Sequence, residues 1–199
     1  MAVKNRMTSK EEKFHAVSVA LGALLNKTGA GKITVTQVAK RANVSRAWIY
    51  KYVGKDSEDL IRFAIEHLGQ DITQRDLTDV IRSRKELVTS VTSAMDRIFD
   101  KTREYPWFIP VYYKYRGTDT APGRLIDSVE QAYVDRQTKR LMQHFKSYDH
   151  DKAVIAAEIL TAFRMGLAFS WQRGDLKKKA SKSEVLASVE SWLSELFNA

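Results

Sequence analysis

The chain has 199 residues, 44% hydrophobic and 29% charged, with 9 glycines, 3 prolines and no cysteine. This suits one compact domain or two small ones. It excludes a disulfide scaffold, a thiol nucleophile and Cys-ligated zinc or iron–sulfur chemistry, and so few breakers argue against an all-β or disordered chain. The net charge of +9 favours an anionic partner, and it is concentrated: residues 1–56 hold 11 Lys and Arg against 3 acids, whereas the other 143 residues hold 22 against 21. A basic module joined to a near-neutral one has this signature.

Phe14, Val17, Leu21, Leu24 and Leu25 recur at helical spacing and predict a first helix over about Thr8 to Lys27, stopped at Gly29-Ala30-Gly31. His15, Ser18 and Gly22 interrupt the apolar stretch, and no clean small-residue cleavage site follows, so it does not read as a secretory signal. Thr28-Gly29-Ala30-Gly31-Lys32 hints at a phosphate loop, but that motif needs Gly at 26 and Ser or Thr at 33, where this chain has Asn26 and Ile33. A helix stop is the better reading. Two short helices follow between about Val35 and Val53. A fourth is expected over Ser57 to Gln74, with Leu60, Ile61, Ala64, Ile65 and Leu68 inward, and a fifth over Arg84 to Glu104, with Leu87, Val91, Ala94, Ile98 and Phe99. Pro106 to Arg116 forms a short aromatic helix. The last three are expected over Gly123 to Lys146, Lys152 to Arg173 and Ser183 to Phe197. No segment shows the alternation of a half-buried strand, and no run of 18 apolar residues occurs, so no membrane span is expected.

Ile33 to Val53 is the informative stretch. Thr34 and Gln37 have the spacing of a capping box. Val38, Ala39 and Ala42 form the inner face of a two-turn helix, with Ala39 small where another helix crosses. Asn43 tolerates the left-handed conformation that reverses the chain. Val44 plugs the corner and Ser45 caps the next helix, whose inner face is Ile49 with Tyr52 or Val53. Two short helices, a tight turn and a small crossing residue make a helix-turn-helix. Its outer face is Arg46, Ala47, Trp48, Tyr50 and Lys51. Arg46 lies in the first turn, where such helices meet base edges and where Arg bonds guanine bidentately. Tyr50 and Lys51 suit phosphate contacts. A helical hairpin with an ordinary solvated basic face is the plainer alternative.

The segment resembles the DNA-binding domain of the TetR (tetracycline-repressor) family of bacterial transcriptional regulators. That family's pattern of Ile-Thr, Ile/Val-Ala, Ala-Gly-Val-Ser and Leu-Tyr-x-x-Phe reads here as Ile33-Thr34, Val38-Ala39, Ala42-Asn43-Val44-Ser45 and Ile49-Tyr50-Lys51-Tyr52-Val53. The match covers about residues 10–65; the remainder agrees in helix layout, length and a Gly inside the eighth helix, Gly166. Asn43 stands for the usual Gly, Val53 for an aromatic, and the segment after Val53 is one residue longer. The resemblance implies a DNA-contact set of Thr34, Thr36, Arg46, Ala47, Trp48, Tyr50, Lys51 and Lys55, with Lys55 the candidate for a phosphate contact at the start of the fourth helix.

Tyr105, Trp107, Phe108, Tyr112, Tyr113 and Tyr115 crowd one short stretch, either as core or as a cavity wall. The resemblance favours a cavity, because the family encloses an effector between its fifth to eighth helices. The candidate lining is Met95, Phe99, Trp107, Phe108, Tyr112, Tyr113, Phe145 and Phe163, with Met142 and Met165 able to complete it. The eighth helix is apolar at Ile155, Ile159, Phe163, Leu167 and Trp171, and the ninth at Val185, Leu186, Val189, Trp192, Leu193, Leu196 and Phe197. The family pairs these two helices from each protomer, which implies a dimer interface of Phe163, Leu167, Trp171, Val189, Trp192, Leu193 and Leu196.

The expectation is an all-α protein: a three-helix DNA-binding domain over residues 1–56 and a helical ligand-binding and dimerisation domain over residues 57–199. Its function is that of a cytoplasmic, homodimeric regulator bound to a palindromic double-stranded operator, a repressor released by a small apolar or aromatic effector. The alternative is a helical-bundle enzyme or lipid-binding protein with an incidental basic end. His15, His67, His144 and His150 have no i, i+4 pairing for zinc, and no carboxylates fall in an acid–base motif. No metal, cofactor, catalytic residue or membrane association is expected.

Overall fold

The computed structural model describes residues 9–78 and 81–198, and of residues 68–78 and 198 the backbone alone. Lys4, Arg6, the expected helix start at Thr8 and the side chain of Leu68 lie outside this range. The described residues form α1 (Lys10–Thr28), a 3-10 turn (Ala30–Lys32), α2 (Val35–Ala42), α3 (Arg46–Tyr52), α4 (Ser57–Thr78), α5 (Arg84–Glu104), α6 (Phe108–Tyr115), α7 (Ala121–His144), α8 (His150–Arg173) and α9 (Lys182–Asn198), with no strand among them. The expected bounds are displaced by a few residues. Proline suits the first turn of a helix, and accordingly Pro122 lies inside α7 and Pro106 precedes α6.

The chain divides into two compact units, one of residues up to Gly69 with Pro110–Ile126, the other of Gln70–Ile109 with Asp127 onward. The division differs from a cut after Asp56. It assigns the first half of α4 and most of α6 to the N-terminal unit, because sequence contiguity does not decide which helices share a buried face.

In the first unit α1 packs on α2, and α2 on α3. Val17, Leu21, Leu24 and Leu25 of α1, Val38, Ala39 and Ala42 of α2, Ile49 of α3 and Leu60, Ile61 and Ala64 of α4 are buried. Each fully buried Leu, Ile or Val contributes about 1.5–3 kcal/mol. α1 opens on a capping box between Ser9 and Glu12, which satisfies amides that the first turn leaves without partners. It ends at Gly29, whose φ of +79° favours glycine. The C-terminal end of α6 belongs here too: the Tyr115 hydroxyl donates to the Leu25 carbonyl at 3.5 Å and the Lys114 ammonium to the Asn26 carbonyl at 3.3 Å. Thus part of the aromatic stretch serves to close the open end of α1.

In the second unit α5 packs against α8 and α9. Their core includes Leu87, Val91, Met95, Leu141, Phe145, Ala157, Leu160, Val189, Leu193 and Phe197. A smaller cluster joins Phe99, Trp171 and Val185, with the Phe99 and Trp171 rings stacked at 4.9 Å. Lys182 ties the start of α9 to α5, its ammonium 2.5 Å from Asp96 and 2.8 Å from Asp100. By length and composition α8 is apolar enough to cross a membrane. Here its inward face, with Ala153, Ala157, Leu160 and Ala168, is buried in the unit's core.

Candidate functional site

The helix-turn-helix is built as its residues require. Thr34 accepts the Gln37 amide at 3.3 Å, and the Gln37 side chain accepts the Thr34 amide at 2.9 Å. Asn43 stands at φ 54°, ψ 41°, and among the described residues no other non-glycine has positive φ. The amides of Asn43 and Val44 both donate to the Ala39 carbonyl, closing α2 as a left-handed cap does. Ser45 then caps α3 through the Trp48 amide at 3.1 Å. Ile49 is fully buried, while Tyr52 is exposed and Val53 half-buried. Of the two alternatives for the inner face, Val53 is therefore the inward one.

The turn into α4 is equally specified. The Asp59 carboxylate accepts the Lys55 amide at 3.0 Å and also pairs with Arg62. The Lys55 amide, aided by Arg62, holds the Asp59 carboxyl below its usual range. Gly54 lies so close that a Cβ there would stand 2.2 Å from the Asp59 Cβ. Lys55 is exposed in this turn.

Thr34, Thr36, Arg46, Ala47, Tyr50, Lys51 and Lys55 are all exposed, Tyr50 by 50%. Trp48 departs from this set. It is half-buried, its ring 5.2 Å from both Phe14 and Tyr52. At 100° per residue, position 48 turns toward α1 rather than outward. Sequence reasoning missed what gathers around it: Lys10 lies 4.8 Å over the Tyr52 ring, Lys13 6.0 Å over Trp48 and Lys51 5.1 Å over Tyr52. These cation–π contacts hold α1 ammonium groups beside the outer face of α3. No local pattern marks the pairing of Lys10 with Tyr52 and of Lys13 with Trp48, whose partners lie 42 and 35 residues apart.

The candidate ligand set does not come together in one unit. Tyr112 and Tyr113 belong to the first, Tyr112 buried and Tyr113 exposed, their rings edge to face at 5.1 Å. The remaining six lie in the second. Met95 and Phe145 are in its main core, Phe163 is packed against that core, and Phe99 is in the smaller cluster. Trp107 is buried, its indole N–H without an acceptor, and Phe108 is half-buried.

The interface set also splits. Val189 and Leu193 are buried in the chain's own core, and Trp171 stacks on Phe99. Burial within one chain leaves these side chains no surface to give a partner. Phe163 and Leu167 are half-buried, while Trp192 and Leu196 stand 42% and 48% exposed. Exposed with them are Ile155, Ile159 and Phe169 of α8, which an apolar arc in the sequence could not sort from inward positions.

No protein-family model matches the chain. Among curated proteins it is similar to the nucleoid occlusion factor SlmA of Haemophilus influenzae, 20% identical over 162 residues, 78% of this chain and 73% of that protein. It is also similar to an uncharacterised HTH-type transcriptional regulator of Mycobacterium tuberculosis, 25% identical over 117 residues, 56% of each chain. Among solved structures it is similar to a TetR-family transcriptional regulator from Streptomyces coelicolor, with a TM-score of 0.65 and 19% identity, covering 96% of this chain and 82% of that one. The structural neighbours are TetR-family transcriptional regulators, and the chain shares their all-helical fold.

Proposed function

We propose that this chain is a DNA-binding transcriptional regulator of the TetR family, working in the cytoplasm as a homodimer and not as an enzyme. The observation that carries this is the helix-turn-helix itself. Two capped helices join through a left-handed Asn43, and the second presents Arg46, Tyr50 and Lys51 outward, with Lys10 over the Tyr52 ring at its end and Lys55 exposed after it. Arg46 reads a base edge; Thr34, Thr36, Tyr50, Lys51 and Lys55 hold the phosphates, and Ala47 lets the helix approach closely. Trp48 supports the recognition helix from behind.

The dimer uses the exposed apolar face of α8 and α9, centred on Ile155, Ile159, Trp192 and Leu196. Contiguous exposed apolar side chains of this size mark an association surface, and a two-fold pair of readers matches a palindromic operator. Repression lifted by a small effector in the second unit completes the reading and rests on family likeness. The effector shifts the population toward a dimer whose recognition helices are wrongly spaced for successive major grooves.

The test is binding to a selected palindromic duplex against random DNA. If the dimer neutralises about 6–10 phosphates, affinity falls by roughly 10³–10⁵ between 50 and 200 mM salt. Arg46→Ala costs about 1–3 kcal/mol on the selected duplex and little on random DNA. Lys51→Ala weakens both alike. Equal losses for Arg46→Ala on both duplexes make it a phosphate contact, and no selectable duplex at all removes the reading.

A further inference from the structure

Tyr52 is the last residue of α3, and 38% of its surface is exposed. Its ring belongs to an assembly that spans two helices of the first unit. Trp48 and Tyr52 stand at i and i+4 on α3, with ring centres 5.2 Å apart. Lys10 and Lys13 stand at i and i+3 at the start of α1 and lie over those two rings, Lys10 at 4.8 Å from the centre of Tyr52 and Lys13 at 6.0 Å from that of Trp48. Lys10 is also held from its own helix, 5.3 Å from the centre of the Phe14 ring. The Lys51 ammonium lies 5.1 Å from the centre of the same Tyr52 ring. Lys10 and Lys51 therefore share one ring and stand within the ~10 Å over which charges act in 0.1 M salt. Both are exposed, whereas Lys13 is half-buried. Glu12, between Lys10 and Lys13, takes part in the α1 cap and accepts the Ser9 amide at 3.2 Å.

Two like charges gathered at one ring repel each other, and an anion set between them relieves that repulsion. A ring attracts an ammonium by its charge and leaves N–H donors for an acceptor. It also restrains a long, flexible side chain beforehand, so less freedom is lost when the acceptor arrives. We propose that Tyr52 is a positioning residue. Its ring sets Lys10 of α1 and Lys51 of α3 as a clamp on the phosphate backbone of duplex DNA. This deepens the reading of the helix-turn-helix as a DNA reader and rests on it. It extends the contact from α3 onto α1, adds Lys10 to the phosphate contacts, and gives Tyr52 a role through its ring rather than its hydroxyl. Because a phosphate contact carries no sequence information, the clamp adds affinity and register, not preference.

The assay is binding of full-length protein to a labelled random-sequence duplex between roughly 50 and 200 mM salt. Lys10→Gln should weaken binding and lower the slope of log K against log salt by about 0.9 for each protomer bound, the loss of one phosphate contact. Lys27→Gln makes the same change of charge at the exposed far end of α1, roughly 25 Å away at 1.5 Å per residue, and should leave the slope as it is. Tyr52→Leu should weaken binding about two- to fivefold, the measure of one exposed cation–π contact. Lys10→Gln added to Tyr52→Leu should then cost less than it costs alone. Tyr52→Phe keeps the ring and should bind as wild type does. An unchanged slope for Lys10→Gln, an equal drop for Lys27→Gln, additive losses for Lys10→Gln and Tyr52→Leu, or Tyr52→Phe binding as poorly as Tyr52→Leu each overturn the clamp. Should Tyr52→Leu not fold, the Lys10→Gln slope and the Tyr52→Phe affinity still decide. Wild-type selection of a palindromic duplex with an unchanged Lys10→Gln slope keeps the DNA reader and removes the clamp. Lys10-dependent binding to random DNA with no selectable duplex keeps the clamp and removes the sequence-specific regulator. No binding to any duplex removes both.

Discussion

Leu193 and Leu196 lie three residues apart on α9, and one substitution, Leu to Ala, separates their roles. Leu193 is 0% exposed within a cluster that includes Met95, Leu141, Leu160 and Val189. Removing its methyl groups leaves a cavity among close-packed neighbours, so Leu193→Ala costs about 2–5 kcal/mol of folding. Leu196 already exposes 48% of its surface in the single chain. Truncating it removes roughly half of a full leucine's burial, about 0.8–1.5 kcal/mol of folding. In the proposed dimer the exposed half would be covered, so its loss should appear in association, about tenfold in Kd per 1.4 kcal/mol. Sedimentation equilibrium gives the dimer Kd, and urea denaturation at two protein concentrations separates folding from association. Leu196→Ala should raise Kd with a modest change in the concentration-independent stability; Leu193→Ala should lower that stability steeply. The reasoning fails if Leu196→Ala leaves Kd unchanged while Leu193→Ala yields folded monomers, because α9 would then turn its other face to the partner.

Asn43→Gly should stay within a few tenths of a kcal/mol of wild type in thermal denaturation, whereas Asn43→Val should lose about 1–2 kcal/mol, since φ 54° is disfavoured for a branched side chain. Gly54→Ala, whose Cβ meets the Asp59 Cβ at 2.2 Å, should cost about 1–3 kcal/mol and weaken operator binding in a gel-shift titration by displacing Lys55. Burial opposes charge on Lys182, but Asp100 and Asp96 outweigh it and raise its pKa above the ordinary 10.5. A raised folded pKa contributes stability below the unfolded value that is lost as pH climbs through the folded one. The urea-midpoint gap between wild type and Lys182→Met should therefore be full at about pH 8 and shrink as pH climbs past the ordinary 10.5.

Helix punctuation was legible from the chain alone because it is local chemistry. The capping box of Thr34 and Gln37, the cap at Ser45 and the reversal at Asn43 involve groups at most five residues apart, so their side-chain types and spacing suffice. The basic end and the outward face of α3 followed from composition and the helical period. Tertiary structure decided the rest. Val189, Trp192, Leu193 and Leu196 are equally apolar as sequence, and only the packing of α5 against α9 makes two of them core and two surface. Trp48 reads as an outward residue until Phe14 covers it. Arg164 of α8 and Tyr133 of α7 share no linear pattern, and only the tertiary fold lays the guanidinium over that ring. Burial and charge pairing depend on which distant helix arrives opposite a residue, and a helical period reports a face without naming what will meet it.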